Sequence, residues 1–357
     1  MPTETCLRSV WYVAALSHEL GSNLLRRVIL GEPVLLFRDE ATGEPAALLD
    51  RCPHRFAPLN PGRPVAGGVQ CSYHGLAFGA SGACIPNPHG TGRILPSAMV
   101  KTFPALERYG MLWVWLGDAE KADEVLLPDF SFLESADQRT RMAGHLATNA
   151  NYQILTDNIL DLSHADFLHP MLDSQGGVRT EAPKVVELPG GEMEVSWTWG
   201  PASPMGFLGH LFAPGAAVFT RLSVLWYPPA TMRLTVLSAV QPEGLDNGVR
   251  ADAMHIMTPE TPHRTHYFFG GVRDFDPDNA DFTAAFEAGV RRAFIEEDKP
   301  MIEAVQGNML GETDIFVLRP LGLIGDAGGV RVREKLRKLI SAEVHEAAGD
   351  FTAETIS

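Results

Sequence analysis

Two thiols and two imidazoles stand in a spacing that suggests metal binding. Cys52-Pro53-His54 is followed, after sixteen residues, by Cys71-Ser72-Tyr73-His74. Each element offers one anionic sulfur and one neutral ring nitrogen. A Rieske-type [2Fe–2S] cluster divides that set between its irons, two Cys on one and two His on the other. Exchanging two thiolates for imidazoles reduces the negative charge around the cluster and raises its potential. A Cys2His2 zinc site uses the same atoms but groups cysteines with cysteines and histidines with histidines. Here each element carries one of each, which fits zinc poorly. Four residues without a metal would need the pairing to arise by chance.

A second set lies in Asp157-Asn158-Ile159-Leu160-Asp161-Leu162-Ser163-His164-Ala165-Asp166-Phe167-Leu168-His169-Pro170. Helical periodicity over 152–167 places Asp157, Asp161, His164 and Leu168 on one face. His169 falls about 140° away from His164 around an ideal helix. Both imidazoles reach one ion only if the helix ends or bulges between them. Pro170 gives a reason, because the residue before a proline is pushed out of the α region. Two neutral histidines and one carboxylate form the facial triad of non-haem Fe(II) oxygenases, with positions left open for oxygen and substrate. From spacing alone the carboxylate stays open among Asp157, Asp161 and Asp298. Asp298 lies near the middle of the apolar stripe of a helix predicted over 282–306, with Glu297 at the stripe's margin and Glu296 nearly opposite. A carboxylate on a buried face needs a compensating partner, either a metal ion or a cation such as Arg291.

These groups need a scaffold. Short β-rich runs at 28–30, 33–37, 46–49, 67–77, 83–85 and 110–117, with a turn at Gly79-Ala80-Ser81-Gly82, predict an all-β domain over 1–118. The charged, turn-like stretch 118–124 is the expected boundary. Over 119–357 the pattern changes to α+β, an antiparallel sheet wrapped by helices. Its strands are read at 185–199 (broken at Pro189-Gly190-Gly191), 218–227, 232–241, 253–257 and 266–272, with a closing helix over 330–348. The Trp113/Trp115 and Trp197/Trp199 pairs alternate as core strand residues, and Cys6 and Cys84 read as small apolar residues.

The 357 residues suit two domains, and 45% hydrophobic with 20% charged residues is ordinary globular composition. A net charge of −15 without a Lys/Arg cluster argues against nucleic acid. No apolar run approaches the roughly 20 residues that span a bilayer. The short run 10–16 ends at Ser17-His18-Glu19 without a cleavage pattern, so a cytoplasmic location is expected.

Taken together, these motifs resemble the Rieske non-haem iron oxygenase family, and within it the oxygenase components of vanillate O-demethylase and dicamba monooxygenase. The resemblance rests on CPHRFAPL at 52–59, YHGL at 73–76, NPHG at 87–90, ERYGMLWVW at 107–115, DNILDLSHADFLH at 157–169, HIMTPET at 255–261 and EEDKPMIEA at 296–304. It runs from about residue 10 to Lys299, and more loosely to the end. It implies that Cys52, His54, Cys71 and His74 hold the cluster, and that His164, His169 and Asp298 hold a mononuclear iron. Asp161 matches an acidic residue that links an iron histidine to a cluster histidine of a neighbouring subunit in a head-to-tail trimer. Asn158 matches a residue beside the iron. His255, in a strand-like run, matches a position that can face the pocket, although a core histidine is the simpler reading. Arg221, Arg233 and Arg273 could each hold a substrate carboxylate, yet read more simply as surface or interface charges.

The implied architecture is a Rieske β domain followed by a helix-grip-like catalytic domain. The implied activity is O-demethylation of a vanillate-like methoxylated aromatic acid with dioxygen, releasing formaldehyde. Ring or methyl hydroxylation and N-demethylation are same-family alternatives, and an electron-transfer and ligand-binding protein without oxygenase activity is the alternative of another class. No G-x-G-x-x-G opens a helix, so electrons are expected from a separate NAD(P)H-dependent, ferredoxin-type reductase. The resemblance weakens at the pocket: Gly289 replaces an aromatic residue of dicamba monooxygenase-like chains, and 197–215 diverges.

Overall fold

A computed structural model describes residues 6–354. The chain divides into two units, Met1–Leu127 and Pro128–Ser357. The extreme ends of the two expected domain spans, 1–5 and 355–357, lie outside the described residues. The first unit runs past residue 118 because its tryptophans hold the charged stretch. Trp115 Nε1 donates to the Asp118 carbonyl at 2.8 Å, and Trp11 Nε1 donates to that of Asp123 at 2.8 Å.

The described strands of the first unit are β1 (Trp11–Leu16), β2 (Leu25–Ile29), β3 (Glu32–Arg38), β4 (Pro45–Leu49), β5 (Arg63–Val65), β6 (Gly68–Gln70), β7 (Ala77–Gly79), β8 (Thr102–Phe103), β9 (Ala105–Arg108) and β10 (Met111–Trp115). They form three small sheets, ordered β1-β10-β9, β2-β3-β4-β8 and β5-β6-β7. Every residue of β1 and β10 is buried, which is why WYVAAL and MLWVW read as continuous apolar runs. The stretch 67–77, read as one strand, is β6 followed by a loop from Cys71 to Leu76 and then β7. That interruption carries two of the candidate ligands.

The second unit is built on a seven-stranded antiparallel sheet. Its strands are β11 (Met142–Thr148), β12 (Lys184–Glu187), β13 (Met193–Ala202), β14 (Val218–Tyr227), β15 (Thr231–Ala239), β16 (Val249–Thr261) and β17 (Arg264–Arg273), in the order β11-β17-β16-β15-β14-β13-β12. In β14 every second residue is buried, the pattern of a sheet with one face on the core. Around it lie α1 (Phe132–Ser135), α2 (Tyr152–Leu160), α3 (Ala165–Leu168), α4 (Gly177–Thr180), α5 (Ala280–Arg292), α6 (Lys299–Asn308) and α7 (Ala327–Glu354). None of the described helices is long and apolar enough to cross a membrane.

Two predicted helices are broken where the chemistry sits. The helix read over 152–167 stops at Leu160, and Asp161 takes extended angles (φ −125°, ψ 94°) before a short 3-10 turn, Leu162–His164, and α3. Asp161 ends α2 and caps the next turn, its carboxylate accepting from the Ser163 N–H at 3.0 Å. The break therefore falls before His164, as well as at His169, which caps α3 with φ −119°. The helix read over 282–306 is α5 and α6 joined by a π-helical segment, Ala293–Asp298. Such wide turns are uncommon and concentrate at functional sites.

Asp157 does not face the histidines. Its carboxylate takes two hydrogen bonds from Arg333 Nε on α7, at 3.0 and 2.9 Å, and the guanidinium is buried. This ion pair fastens α7 onto α2, the helix that leads into the His164 turn. Asp157→Ala leaves the buried guanidinium without its main partner and is expected to cost about 3 kcal/mol in urea unfolding. Adding Arg333→Met should recover most of that loss, and a double variant as unstable as Asp157→Ala would show that the unpaired guanidinium is not its cause.

Candidate functional site

In the first unit the two candidate loops are built alike. The Cys52 N–H donates to the Ala57 carbonyl at 2.8 Å, and the Phe56 N–H donates back to the Cys52 carbonyl at 2.9 Å. The Cys71 N–H donates to Leu76 at 2.8 Å, and the Gly75 N–H donates to Cys71 at 3.0 Å. The residue four after each cysteine is left-handed: Gly75 with φ 75° and, less comfortably, Phe56 with φ 57°. Both thiols lie in one apolar cluster with Leu35, Leu59, Val69 and Phe78. Burial pushes the Cys52 thiol upward, and the neighbouring Cys71 thiol adds to that. The imidazoles of His54 and His74 face outward with ring centroids 4.5 Å apart. Two buried sulfurs under two surface imidazoles fit a cluster with Cys on the inner iron and His on the outer one. His89, which had no assigned part, holds the second loop through its Nε2 on the His74 carbonyl at 2.7 Å.

In the second unit the broken helix and the π-helical segment bring together residues 129 or more positions apart in sequence. One ring nitrogen from each of His164 and His169 and one carboxylate oxygen of Asp298 all lie within 4.8 Å of one another. His164 Nε2 is 3.5 Å and His169 Nε2 3.1 Å from Asp298 Oδ1. The opposite nitrogens are held by acceptors, and this fixes the tautomers. His164 Nδ1 donates to the Asp161 carbonyl at 2.7 Å, and His169 Nδ1 donates to Glu297 Oε2 at 2.8 Å. Each Nε2 therefore presents a lone pair, as a metal ligand must. Asn158 Nδ2 lies 3.3 Å from both His164 Nε2 and Asp298 Oδ1.

Asp298 and His169 are each only 3% exposed. Arg291, the cation weighed as an alternative partner for Asp298, instead pairs with Glu287 and the Ala143 carbonyl. Burial lowers the His169 pKa, but the Asp298 and Glu297 carboxylates outweigh it and raise it overall. That concentration of negative charge around two imidazoles is the environment a divalent cation neutralises, so the donor set fits a ferrous facial triad. Glu297 was the residue the sequence did not single out. Its second oxygen meets Arg292 Nε at 3.0 Å while the first orients His169. The carboxylate of Asp161, expected to hold His164, leaves that task to its own backbone carbonyl.

The triad forms one wall of a cavity of about 130 Å³ between the sheet and helices α4 and α5. It exists because β16 and β17 present Ala251, Ala253 and Gly271 where flanking strands present Leu222, Leu234 and Val236. His255 lines it. Its Nδ1 is hydrogen-bonded to the Tyr267 hydroxyl at 2.7 Å, its Nε2 has no partner, and burial pushes its pKa down to about 4. Arg221 and Arg233 are not in the lining. They pair with Asp246 and Asp252. Gly289 faces Met171, whose sulfur would lie 2.2 Å from a Cβ there, so that side chain fills the space an aromatic residue would need.

Residues 148–342 match the Vanillate O-demethylase oxygenase C-terminal domain and residues 10–104 the Rieske [2Fe-2S] domain. The chain belongs to the vanillate O-demethylase family of Rieske oxygenases. It is 36% identical to the dicamba O-demethylase oxygenase component of Stenotrophomonas maltophilia, over 95% of this chain and 99% of that one. It is 35% identical to the chloroacetanilide N-alkylformylase oxygenase component of Rhizorhabdus wittichii, over 94% and 96%. The crystal structure of dicamba monooxygenase bound to dicamba superposes with a TM-score of 0.86 at 34% identity, covering 95% of this chain and 98% of the other. As a Rieske oxygenase the chain uses a [2Fe–2S] cluster and a mononuclear iron.

If Glu297 orients His169, Glu297→Ala should weaken iron retention roughly 10–100-fold, the usual effect of losing such an outer partner. Iron content after dialysis against graded chelator measures this, with the cluster's visible absorption as the internal reference. Unchanged iron retention would remove Glu297 from the site.

Proposed function

We propose that this chain is the terminal oxygenase of a monooxygenase system that O-demethylates a methoxylated aromatic compound. One observation carries the reading: two imidazole lone pairs and a buried carboxylate converge on the wall of an apolar cavity, in a chain that also carries a Rieske domain. In this reading Cys52, His54, Cys71 and His74 hold the cluster, and His164, His169 and Asp298 hold the iron.

When bound, the cluster supplies electrons singly and the ferrous ion activates dioxygen for insertion into a C–H bond. The chain's own residues then set the outcome. His164 and His169, fixed in one tautomer by the Asp161 carbonyl and Glu297, leave one face of the site open toward the cavity. Asn158 sits beside that face with an amide donor. The apolar walls exclude water and hold the ring so that the methyl group meets the iron side. One oxygen atom of dioxygen enters the methyl C–H bond. The other leaves as water, taking two electrons and two protons, and the hemiacetal collapses to a phenol and formaldehyde.

The electrons would come from a separate NAD(P)H-dependent, ferredoxin-type reductase in the cytoplasm. In a head-to-tail homotrimer Asp161 would connect the two centres through two groups, its carbonyl holding His164 and its carboxylate meeting the cluster loop of an adjacent copy. Exposed apolar side chains support such contacts: Phe56 and Tyr73 on the cluster loops, and Leu310, Leu321 and Leu323 in the catalytic unit. A second reading follows from the N-alkylformylase relative, since insertion at a carbon bonded to nitrogen would use the same geometry.

Chemically reduced protein given air and a panel of methoxylated aromatics is expected to yield formaldehyde and the matching phenol in equal amounts. His164→Ala should lose the mononuclear iron and all product while keeping the cluster spectrum. Product from that variant at the wild-type rate would refute the assigned iron site. An added oxygen without formaldehyde would move the activity to hydroxylation.

A further inference from the structure

The cavity's polar inventory narrows the substrate beyond that reading, on which this inference rests. Among the described residues that line it there is no Lys, Arg, Asn or Gln. Its polar groups away from the triad are Ser174, Asp252 and His255. Ser174 is committed, its hydroxyl donating to Asp166 Oδ1 at 2.6 Å and accepting from the Val178 N–H at 3.1 Å. Asp252 lies between Ala251 and Ala253, so strand alternation turns its carboxylate toward the opposite face of the sheet. There it accepts from Thr235 Oγ1 at 2.7 Å, Arg233 at 3.0 Å and Arg250 at 2.6 Å. Only His255 Nε2 is a buried polar side-chain atom without a partner in the lining.

Arg273 is not among the lining residues, although its buried Nε has no hydrogen-bond partner. Arg273 stacks on Phe286, a cavity-wall ring, with its guanidinium 5.7 Å from the ring centroid. Phe275 and Phe282 flank the same guanidinium, which donates to Thr283 Oγ1 and the Asp276 carbonyl. A carboxylate has about four lone-pair sites to satisfy and is costly to bury with one neutral partner.

We infer that the cavity takes an uncharged, single-ring aromatic ether carrying at most one further hydrogen-bonding group, and that it discriminates against aromatic carboxylates. The volume sets the ring count: about 130 Å³ is close to the engineered apolar cavity of about 150 Å³ that admits benzene. The lone polar group of the substrate meets His255 Nε2, and the remaining wall contributes apolar contact. The vanillate-like acid that the sequence resemblance suggests would place its charge against that wall.

A nitro group matches a carboxylate in shape and carries no net charge, so methoxynitrobenzenes and methoxybenzoates of the same substitution pattern isolate the charge. Equilibrium dialysis on the iron-loaded wild-type protein measures binding, and formaldehyde release gives kcat/KM on the same compounds. The expected result is tighter binding of the nitro ether by roughly tenfold to 100-fold, the cost of one poorly satisfied polar group. Equal or tighter binding of the benzoate overturns the inference, as does failure of every single-ring ether to bind. The binding order decides this point independently of turnover. Nitro ethers that bind preferentially but release no formaldehyde would sink the O-demethylase reading and leave the charge selectivity standing.

Discussion

A carboxylate as deeply buried as Asp298 has to be neutralised, and the catalytic unit is organised around doing so. Water is excluded from it, and Arg291, a cation seven residues earlier, is engaged elsewhere. What surrounds Asp298 is a pair of imidazoles, each locked with its lone pair inward, and the amide of Asn158. In a site of low dielectric this arrangement is costly empty and favourable around a divalent cation, so metal binding and local folding are coupled. The same constraint explains Glu297. Its charge would be a liability beside Asp298 without a metal, and with one it fixes the His169 ring and raises its basicity.

Regular helices could not meet that constraint. His164 and His169 are on divergent faces of an ideal helix, and Glu297 and Asp298 are adjacent residues that must both point at the same imidazole. The chain solves the first problem by ending α2 at Leu160 and letting Asp161 cap a new turn with its side chain while its carbonyl receives the His164 proton. It solves the second with a π-helical turn, whose extra residue presents Glu297 to Nδ1 and Asp298 to Nε2 of His169. The Asp157–Arg333 pair then holds the broken helix against α7.

Legibility in the sequence followed the range of the interaction. The candidate cluster ligands stood out by spacing because each loop supplies its own Cys-His pair and the loop hydrogen bonds are local. The two-unit order and most strands were readable because the apolar runs are bounded by turn residues and β14 alternates strictly. Strand β11 was not, since Met142–Thr148 contains Ala, Gly and His in place of β-branched residues and is paired mainly through its backbone with β17. The carboxylate of the triad could not be chosen among Asp157, Asp161 and Asp298 by periodicity, because the choice depends on two helix irregularities. Resemblance pointed to Asp298, and the geometry agrees. Glu297 was given no role because helical periodicity put it at the margin of the stripe. The cavity was wholly illegible. It is made by the absence of bulk at Ala251, Ala253 and Gly271, opposite residues from segments more than 70 positions apart.

Charge connects the metal side of this cavity to its sheet wall. A ferrous ion brings two positive charges, and Asp298 with Glu297 returns two negative ones, while Arg292 lies out toward solvent. The iron side therefore offers little net attraction for an anion, and the sheet side offers one neutral imidazole. In a relative that accepts a charged ring, a donor or cation has to be supplied by the walls, and strand positions such as Leu234 and Val236 are where the fold could place one. Here those positions are aliphatic, and the acidic residue between the small ones, Asp252, is turned to the opposite face to be saturated by two arginines. The Rieske scaffold and triad set which reaction the site performs. The strand residues facing the triad, free of any duty to the metal, set which ring it performs it on.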